Sequence, residues 1–243
     1  MNVESTPLGR IVIPPVIPSG FALFYTTADF DGRLTAETTA QLLDIVRDRF
    51  GVEAKLTTCT QVHGARVTRA QTTFAWSECD SCDALWSYEP QSALGIKVAD
   101  CLPITMLDPT HSVLANIHSG WRGSVQRITN ATLETLARES AFDPHTSHAY
   151  LGPSIRACCF EVGEEVVEQF AASYADVDRY VNRDQAKPHI DQPAIAIDVL
   201  RDAGFAADRI HDSGLCTRCE GSIFHSYRRA GKGGGRNLAV VAQ

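Results

Sequence analysis

The chain has 243 residues, 44% of them hydrophobic and 21% charged, and a formal net charge of -7 at pH 7. That length supports a sizeable core without staples, and the composition is ordinary for a soluble globular protein. The acidic balance speaks against a nucleic-acid-binding surface, which needs clustered Lys and Arg, and no apolar run is long enough to span a bilayer.

Ile11 to Pro18 is proline-rich and reads as an extended lead-in, and Phe21 to Thr26 as a first strand. Leu42, Leu43, Val46 and Phe50 recur at helical spacing, which predicts a helix from Thr35 to Phe50 closed by Gly51. Lys55 to Val62, rich in threonine and β-branched residues, predicts a strand that delivers His63-Gly64 at its end. Ala93 to Val98 and Leu102 to Leu107 read as two strands around Asp100-Cys101, and Ser112 to Ile117 as another that stops at His118. A helix is expected from Ser124 to Ser140, then a strand from Ala149 to Ile155 that stops at Gly152-Pro153. Helices follow from Gly163 to Phe170 and from Ala194 to Ala203, separated by a polar loop, and Leu238 to Ala242 reads as a last strand. There is no internal repeat and no low-complexity linker. The expectation is one mixed α/β domain over residues 1–243, with its chemistry at strand ends and in loops.

The N-terminal segment Met1 to Pro7 has neither a basic region nor an apolar region of useful length, so a cytoplasmic protein with reduced thiols is expected. The eight cysteines then bind metal, do chemistry or pack in the core. Three short segments place a strong ligand or nucleophile beside a turn residue: Thr60-Gln61-Val62-His63-Gly64, Asp100-Cys101-Leu102-Pro103 and His118-Ser119-Gly120-Trp121-Arg122-Gly123. His63, Cys101 and His118 make a two-histidine, one-cysteinate set that suits a catalytic zinc with one position left for water. Zinc lowers the pKa of such a water to about 7. Asp100 is either an orienting group or general base, or a turn residue bonded to nearby backbone N–H groups. On spacing alone, His111, His145, His148, His189, His211 and His225 have equal standing as ligands.

These segments resemble the YfiH-like or laccase-domain family, whose members are also described as polyphenol oxidases and purine nucleoside phosphorylases. The resemblance covers nearly the whole chain. It includes Asp83-Ala84-Leu85, Gly152-Pro153-Ser154-Ile155, Cys159-Phe160-Glu161-Val162-Gly163, Leu215-Cys216-Thr217 and Phe224-His225-Ser226-Tyr227-Arg228-Arg229. It implies a mixed α/β sandwich related to cysteine-hydrolase-like folds, and a zinc held by His63, Cys101 and His118. It also implies phosphorolysis of adenosine, inosine and methylthioadenosine, with adenosine deamination as a second activity. The chain departs from the family pattern at Ser119, at Trp86 and at Gly234-Gly235-Arg236, the last of which bears on substrate contacts near the C-terminus.

Phosphorolysis needs a site for phosphate, and a guanidinium makes paired, charge-assisted bonds to phosphate oxygens. Arg122, Arg228 and Arg229 are the candidates, with Gln61 placed beside them as a substrate contact. Gly231 to Gly235 is an anion-binding loop or a surface loop, and it lacks the spacing of a nucleotide P-loop. The expected partners are a nucleoside and phosphate, and no oligomeric state is indicated. Cys79/Cys82 and Cys216/Cys219 are paired units that could share a structural zinc or stay as ordinary thiols, and Cys158 and Cys159 read as packing residues.

Three other readings stand beside the phosphorylase. Cys101 with His63 or His118 as base would make a cysteine hydrolase. A copper-dependent polyphenol oxidase would put copper in the same site, although the eight histidines include no His-x-His pair of the kind conventional multicopper oxidases use. A binding protein without catalysis is the last. The His-x-Glu and Pro-Cys-x-x-Cys pattern of zinc deaminases is absent, so deamination would use a different arrangement.

Overall fold

Alternation along the central strands sends neighbouring side chains into different interiors. Leu23 and Tyr25 enter one buried cluster, while Ala22 and Phe24, from the same strand, enter another. A strand apolar on both faces must be covered on both faces, which calls for a layered architecture.

The computed structural model describes residues 1–71 and 74–243. In chain order the elements are β1 (Asn2–Thr6), β2 (Gly9–Ile13), β3 (Ala22–Thr26), α1 (Ala36–Phe50), β4 (Lys55–Cys59), β5 (Val67–Arg69), β6 (Trp76–Cys79) and β7 (Ala84–Ser87). Next come β8 (Ser92–Val98), β9 (Leu102–Asp108), β10 (Val113–Ser119), α2 (Trp121–Val125), α3 (Ile128–Glu139) and β11 (His148–Leu151). The chain continues through α4 (Glu164–Ser173), β12 (Val181–Asn182), β13 (His189–Ile190), α5 (Gln192–Asp202), β14 (Ile210–Asp212), α6 (Tyr227–Ala230) and β15 (Asn237–Ala242).

A seven-stranded sheet, ordered β1-β2-β3-β15-β8-β4-β6, and a six-stranded sheet, ordered β14-β11-β9-β10-β7-β5, pack face to face. Leu23, Tyr25, Leu94, Ile96, Leu114 and Val241 fill the space between them. The outer face of the first sheet packs on α1 through Phe24, Leu42, Val46 and Val240. The outer face of the second packs on α3 and α5 through Ile104, Ile117, Leu136 and Leu200. The result is a mixed α/β sandwich, as expected. Buried Asn116 ties the sheets together across the interior. Its Nδ2 donates to the Leu94 and Ala239 carbonyls at 3.1 and 2.9 Å, and its Oδ1 accepts from Thr105 at 3.1 Å.

The helix predicted from Thr35 begins there: the Thr35 and Thr38 side chains form a capping box, and Gly51 closes the helix at φ 70. Elsewhere the structure departs from expectation. The proline-rich lead-in opens on the last three residues of β2, which pairs with β1 through a tight turn where Gly9 sits at φ 101. The strand expected to reach Val62 ends at Cys59, so His63 stands in a loop. The helix expected from Ser124 to Ser140 is two helices, α2 and α3, separated at Arg127, which takes a left-handed φ of 61. The apolar spacing runs on across that break and so conceals it. His118 lies inside β10 rather than after it.

Candidate metal centre and substrate cleft

The link from β8 to β9 carries the chain from one sheet to the other through Ala99-Asp100-Cys101, a turn tight enough to hold Asp100 at φ 81. Cys101 therefore emerges at the start of β9. β10 runs antiparallel beside it, with Ser119 opposite Leu102 and His118 opposite Pro103, which brings His118 to the same sheet end. On the other side of β10, β7 pairs Ala84 with Ile117, so Asp83 falls beside His118. The His118 main-chain N–H donates to the Asp83 carbonyl at 2.7 Å, and His118 Nδ1 donates to Asp83 Oδ1 at 2.8 Å.

Asp83 also fixes the second imidazole. Its carboxylate accepts the backbone N–H groups of Val62, His63 and Gly64 at 3.2, 2.9 and 2.8 Å. His63 is thereby held at φ 60 with its ring facing the other two side chains. Asp83 and His118 are buried, and burial alone would keep the carboxyl neutral. The His118 and backbone N–H bonds outweigh that and hold its pKa below the usual carboxylate range. Sequence reasoning treated Asp83 only as part of a motif. Its signal was a lone acidic residue at the head of the apolar run Ala84-Leu85-Trp86.

The ligating atoms of His63, Cys101 and His118 lie within 4.8 Å of one another. Cys101 Sγ is 3.9 Å from His63 Nε2, and the two imidazole rings meet edge to face at 4.8 Å between centroids. A tetrahedral zinc with sulfur at about 2.3 Å and nitrogen at about 2.05 Å sets that sulfur–nitrogen edge at about 3.6 Å. With Nδ1 committed to Asp83, His118 turns Nε2 toward the other two, an arrangement usual for metal-binding imidazoles. Burial pushes the Cys101 thiol up, but its contacts with His118 and His63 outweigh this and bring it to about 6. Burial likewise opposes protonation of His118, and Asp83 and Cys101 raise it to about 9. Without a metal these shifts describe a thiolate beside an imidazolium; a metal ion displaces the His118 Nε2 proton and would then meet one thiolate and two oriented imidazoles, a donor set that fits zinc. Gly120 makes room for it: a Cβ there would lie 2.9 Å from His63 Cδ2 and 3.2 Å from Cys101 Sγ.

These three residues line a cleft of about 690 Å³ that also exposes Lys97, Trp121, Arg122, Phe160, Tyr227, Arg228 and Arg236. Arg122 is exposed and lays its guanidinium over the Trp121 ring at 4.3 Å. The Arg228 guanidinium donates to the Glu161 carbonyl at 3.0 Å at the cleft wall. Arg229 is not among the lining residues, and it donates instead to the carbonyls of Thr217, Arg218 and Phe224. Gln61 lines the cleft, but its amide is committed to both main-chain groups of Lys97, at 2.7 and 2.8 Å. The Asp100 carboxylate accepts from Thr217 Oγ1, Ser226 Oγ and the Arg228 N–H at 2.6, 3.1 and 2.6 Å. That commitment favours its reading as a turn residue that braces three segments. Lys97, Trp121 and Tyr227, which sequence reasoning did not single out, enter the site through the folding of separate loops.

Of the two alternatives for the paired cysteine units, a zinc site shared between Cys79/Cys82 and Cys216/Cys219 is not formed. Cys59 and Cys79 are register partners on β4 and β6, and Cys82 contacts Cys59. Cys216 and Cys219 gather instead with Cys158 and Cys159. Cys159 packs in a core cluster with Ile155, Phe160 and Cys216, as expected, whereas Cys158 is exposed and the packing reading is corrected for it; two loops remote in sequence bring all four sulfurs together.

A family model described as multi-copper polyphenol oxidoreductase laccase matches residues 34–243. The chain belongs to that family. Adenosine deaminase RL5, from an unknown prokaryotic organism, is 38% identical over 190 residues, which take in 74% of this chain and 72% of that protein. Purine nucleoside phosphorylase from Deinococcus radiodurans is 35% identical over 215 residues, covering 87% of this chain and 78% of that one. The crystal structure of YlmD from Geobacillus stearothermophilus shares the fold, with a TM-score of 0.79 at 22% identity over 93% of this chain and 92% of that one. Among the described residues no helix is long and apolar enough to cross a membrane.

Proposed function

We propose that the chain is a zinc-dependent enzyme of purine nucleosides. It cleaves adenosine, inosine and S-methyl-5'-thioadenosine with phosphate to the free base and the sugar 1-phosphate, and it deaminates adenosine as a second activity. The observation that carries this reading is the convergence of His63, Cys101 and His118 in a cleft rimmed by cations. Relatives named for both activities support it.

The cleft volume lies within the range of about 300–1,000 Å³ that accommodates small ligands. Trp121, Phe160 and Tyr227 offer aromatic surface to a purine. Lys97, Arg122, Arg228 and Arg236 face Glu78 and Asp100 in the same lining, so a chain of net charge -7 presents a locally cationic cleft. Arg122 forms no ion pair among the described residues, which leaves its guanidinium available to phosphate. Gln61 acts by positioning Lys97. A zinc ion at the three ligands supplies Lewis acidity to the bound substrate. Asp83 keeps His63 and His118 aimed at one point throughout. Copper is the alternative occupant, since the affinity order of such sites favours it.

One observation favours a second reading. The lowered thiol of Cys101 beside His63 is also the pairing of a cysteine hydrolase. Metal content separates the two. The test is incubation of wild type and C101A with adenosine, with and without phosphate, alongside zinc analysis. The expected result is adenine and ribose 1-phosphate only when phosphate is present, none from C101A, and loss of activity when zinc is chelated. Full activity in zinc-free protein would overturn the proposal.

A further inference from the structure

Cys158, Cys159, Cys216 and Cys219 lie outside the substrate cleft, and their sulfurs fall within 4.8 Å of one another. Cys219 Sγ is 3.7 Å from Cys158 Sγ and 3.4 Å from Cys159 Sγ. A tetrahedral zinc with sulfur at about 2.3 Å sets its sulfur–sulfur edges at about 3.8 Å. A disulfide draws its sulfurs to about 2.05 Å. The spacing is that of ligands around one ion.

The main chain is arranged for thiolates. The N–H groups of Arg218, Cys219 and Arg156 are directed at Cys216 Sγ, and Glu220 N–H closes the Cys216–Cys219 turn on the Cys216 carbonyl at 2.9 Å. The Arg218 guanidinium donates to Cys159 Sγ at 3.4 Å. Four thiolates on one dication leave two net negative charges, which these donors disperse. The cysteines also sit where helix and strand are absent, and two backbone bonds, from Ser154 N–H to the Leu215 carbonyl and from Thr217 N–H to the Ser154 carbonyl, join their segments. Segments 152–163 and 213–226 contain no helix or strand, and the bridge between Ser154 and Cys216 is the ladder contact recorded between them. Both segments build the cleft: Ile155 and Phe160 line it, and Thr217 holds Asp100 beside Cys101.

We propose that Cys158, Cys159, Cys216 and Cys219 form a structural zinc site that clips these two loops together and so fixes one wall of the cleft. All four positions are filled by the chain, so the site is closed to substrate and does no chemistry. It does not depend on the proposed enzymatic activity.

The test is zinc content per chain, measured on protein purified under reducing conditions, for wild type, H63A, C216S/C219S and the combined variant. The expected values are two, one, one and none. Cobalt substitution of H63A guards against misfolding of the cysteine variants. It should give the strong sulfur-to-cobalt charge transfer and tetrahedral ligand-field bands of a tetrathiolate. A single zinc in wild type that is lost entirely in H63A would overturn the proposal. So would a non-reduced mass two hydrogens short with no second zinc, since the cysteines would then form a disulfide.

Discussion

Gly120 allows a clean test of the metal centre, because its φ of -66 suits any residue and replacement by alanine carries no backbone penalty. The added Cβ would stand 2.9 Å from His63 Cδ2, 3.2 Å from Cys101 Sγ and 3.5 Å from His118 Cε1. Carbon atoms rest at about 3.5–4.0 Å, so the first contact must open by about 0.6 Å. His118 cannot yield, because Asp83 and the strand register hold it. His63 can, since it stands on a loop and is exposed. Metal–ligand distances tolerate about 0.2 Å, so His63 leaves the coordination distance. G120A should therefore bind zinc about 10–100-fold more weakly, a loss of about 1.4–2.7 kcal/mol. Chelator competition measures the affinity, and circular dichroism with thermal melting confirms that the fold persists. A G120A protein with zinc affinity within about threefold of wild type would refute the steric argument.

D83N keeps the shape of the carboxylate but turns one acceptor into a donor that faces backbone N–H groups. It should lower stability by about 2–4 kcal/mol in urea denaturation and weaken zinc about 10–100-fold. Normal values for both would remove Asp83 from the site. R122A should raise the KM for phosphate about tenfold or more, with little change in melting temperature. R229A, which loses three carbonyl contacts, should lower stability by about 1–3 kcal/mol and leave the phosphate dependence alone. The opposite pattern in steady-state kinetics would reverse the two assignments. Buried Asp108 gives the pH prediction. Burial opposes its charge, but the N–H groups of Asp143, His111 and Thr110 and the His111 ring outweigh this and depress its pKa. A depressed carboxylate stabilises the fold above its unfolded pKa of about 3.9, and that stability is lost as pH falls through the lower folded value. D108N should be less stable at neutral pH and lose less on acidification, as read by denaturation at stepped pH. An acid limb as steep as that of wild type would contradict this.

Local signals were legible in the sequence. The helix from Thr35 to Gly51 was read nearly to the residue, because its capping side chains and its closing glycine act within a few positions of each other. The meeting of His63, Cys101 and His118 was legible because each sits in a short motif of the resembled family; spacing alone did not set them apart from the other six histidines. Asp83 was not, because its role depends on β7 pairing with β10 in a register that places it beside His118, and spacing along the chain does not encode a strand pairing. The division at Arg127 was hidden by apolar spacing that continues past it. The meeting of Cys158 and Cys159 with Cys216 and Cys219 was missed for a related reason. Adjacent cysteines rarely bridge each other, and the partner pair arrives from a loop about sixty residues away.

A single acid that steers both imidazoles removes independence between them. Any change that displaces Asp83, whether a repacked neighbour beneath β7 or a slip of that strand, shifts the two rings in concert. Re-engineering the selectivity of one imidazole alone would first require giving it an anchor of its own.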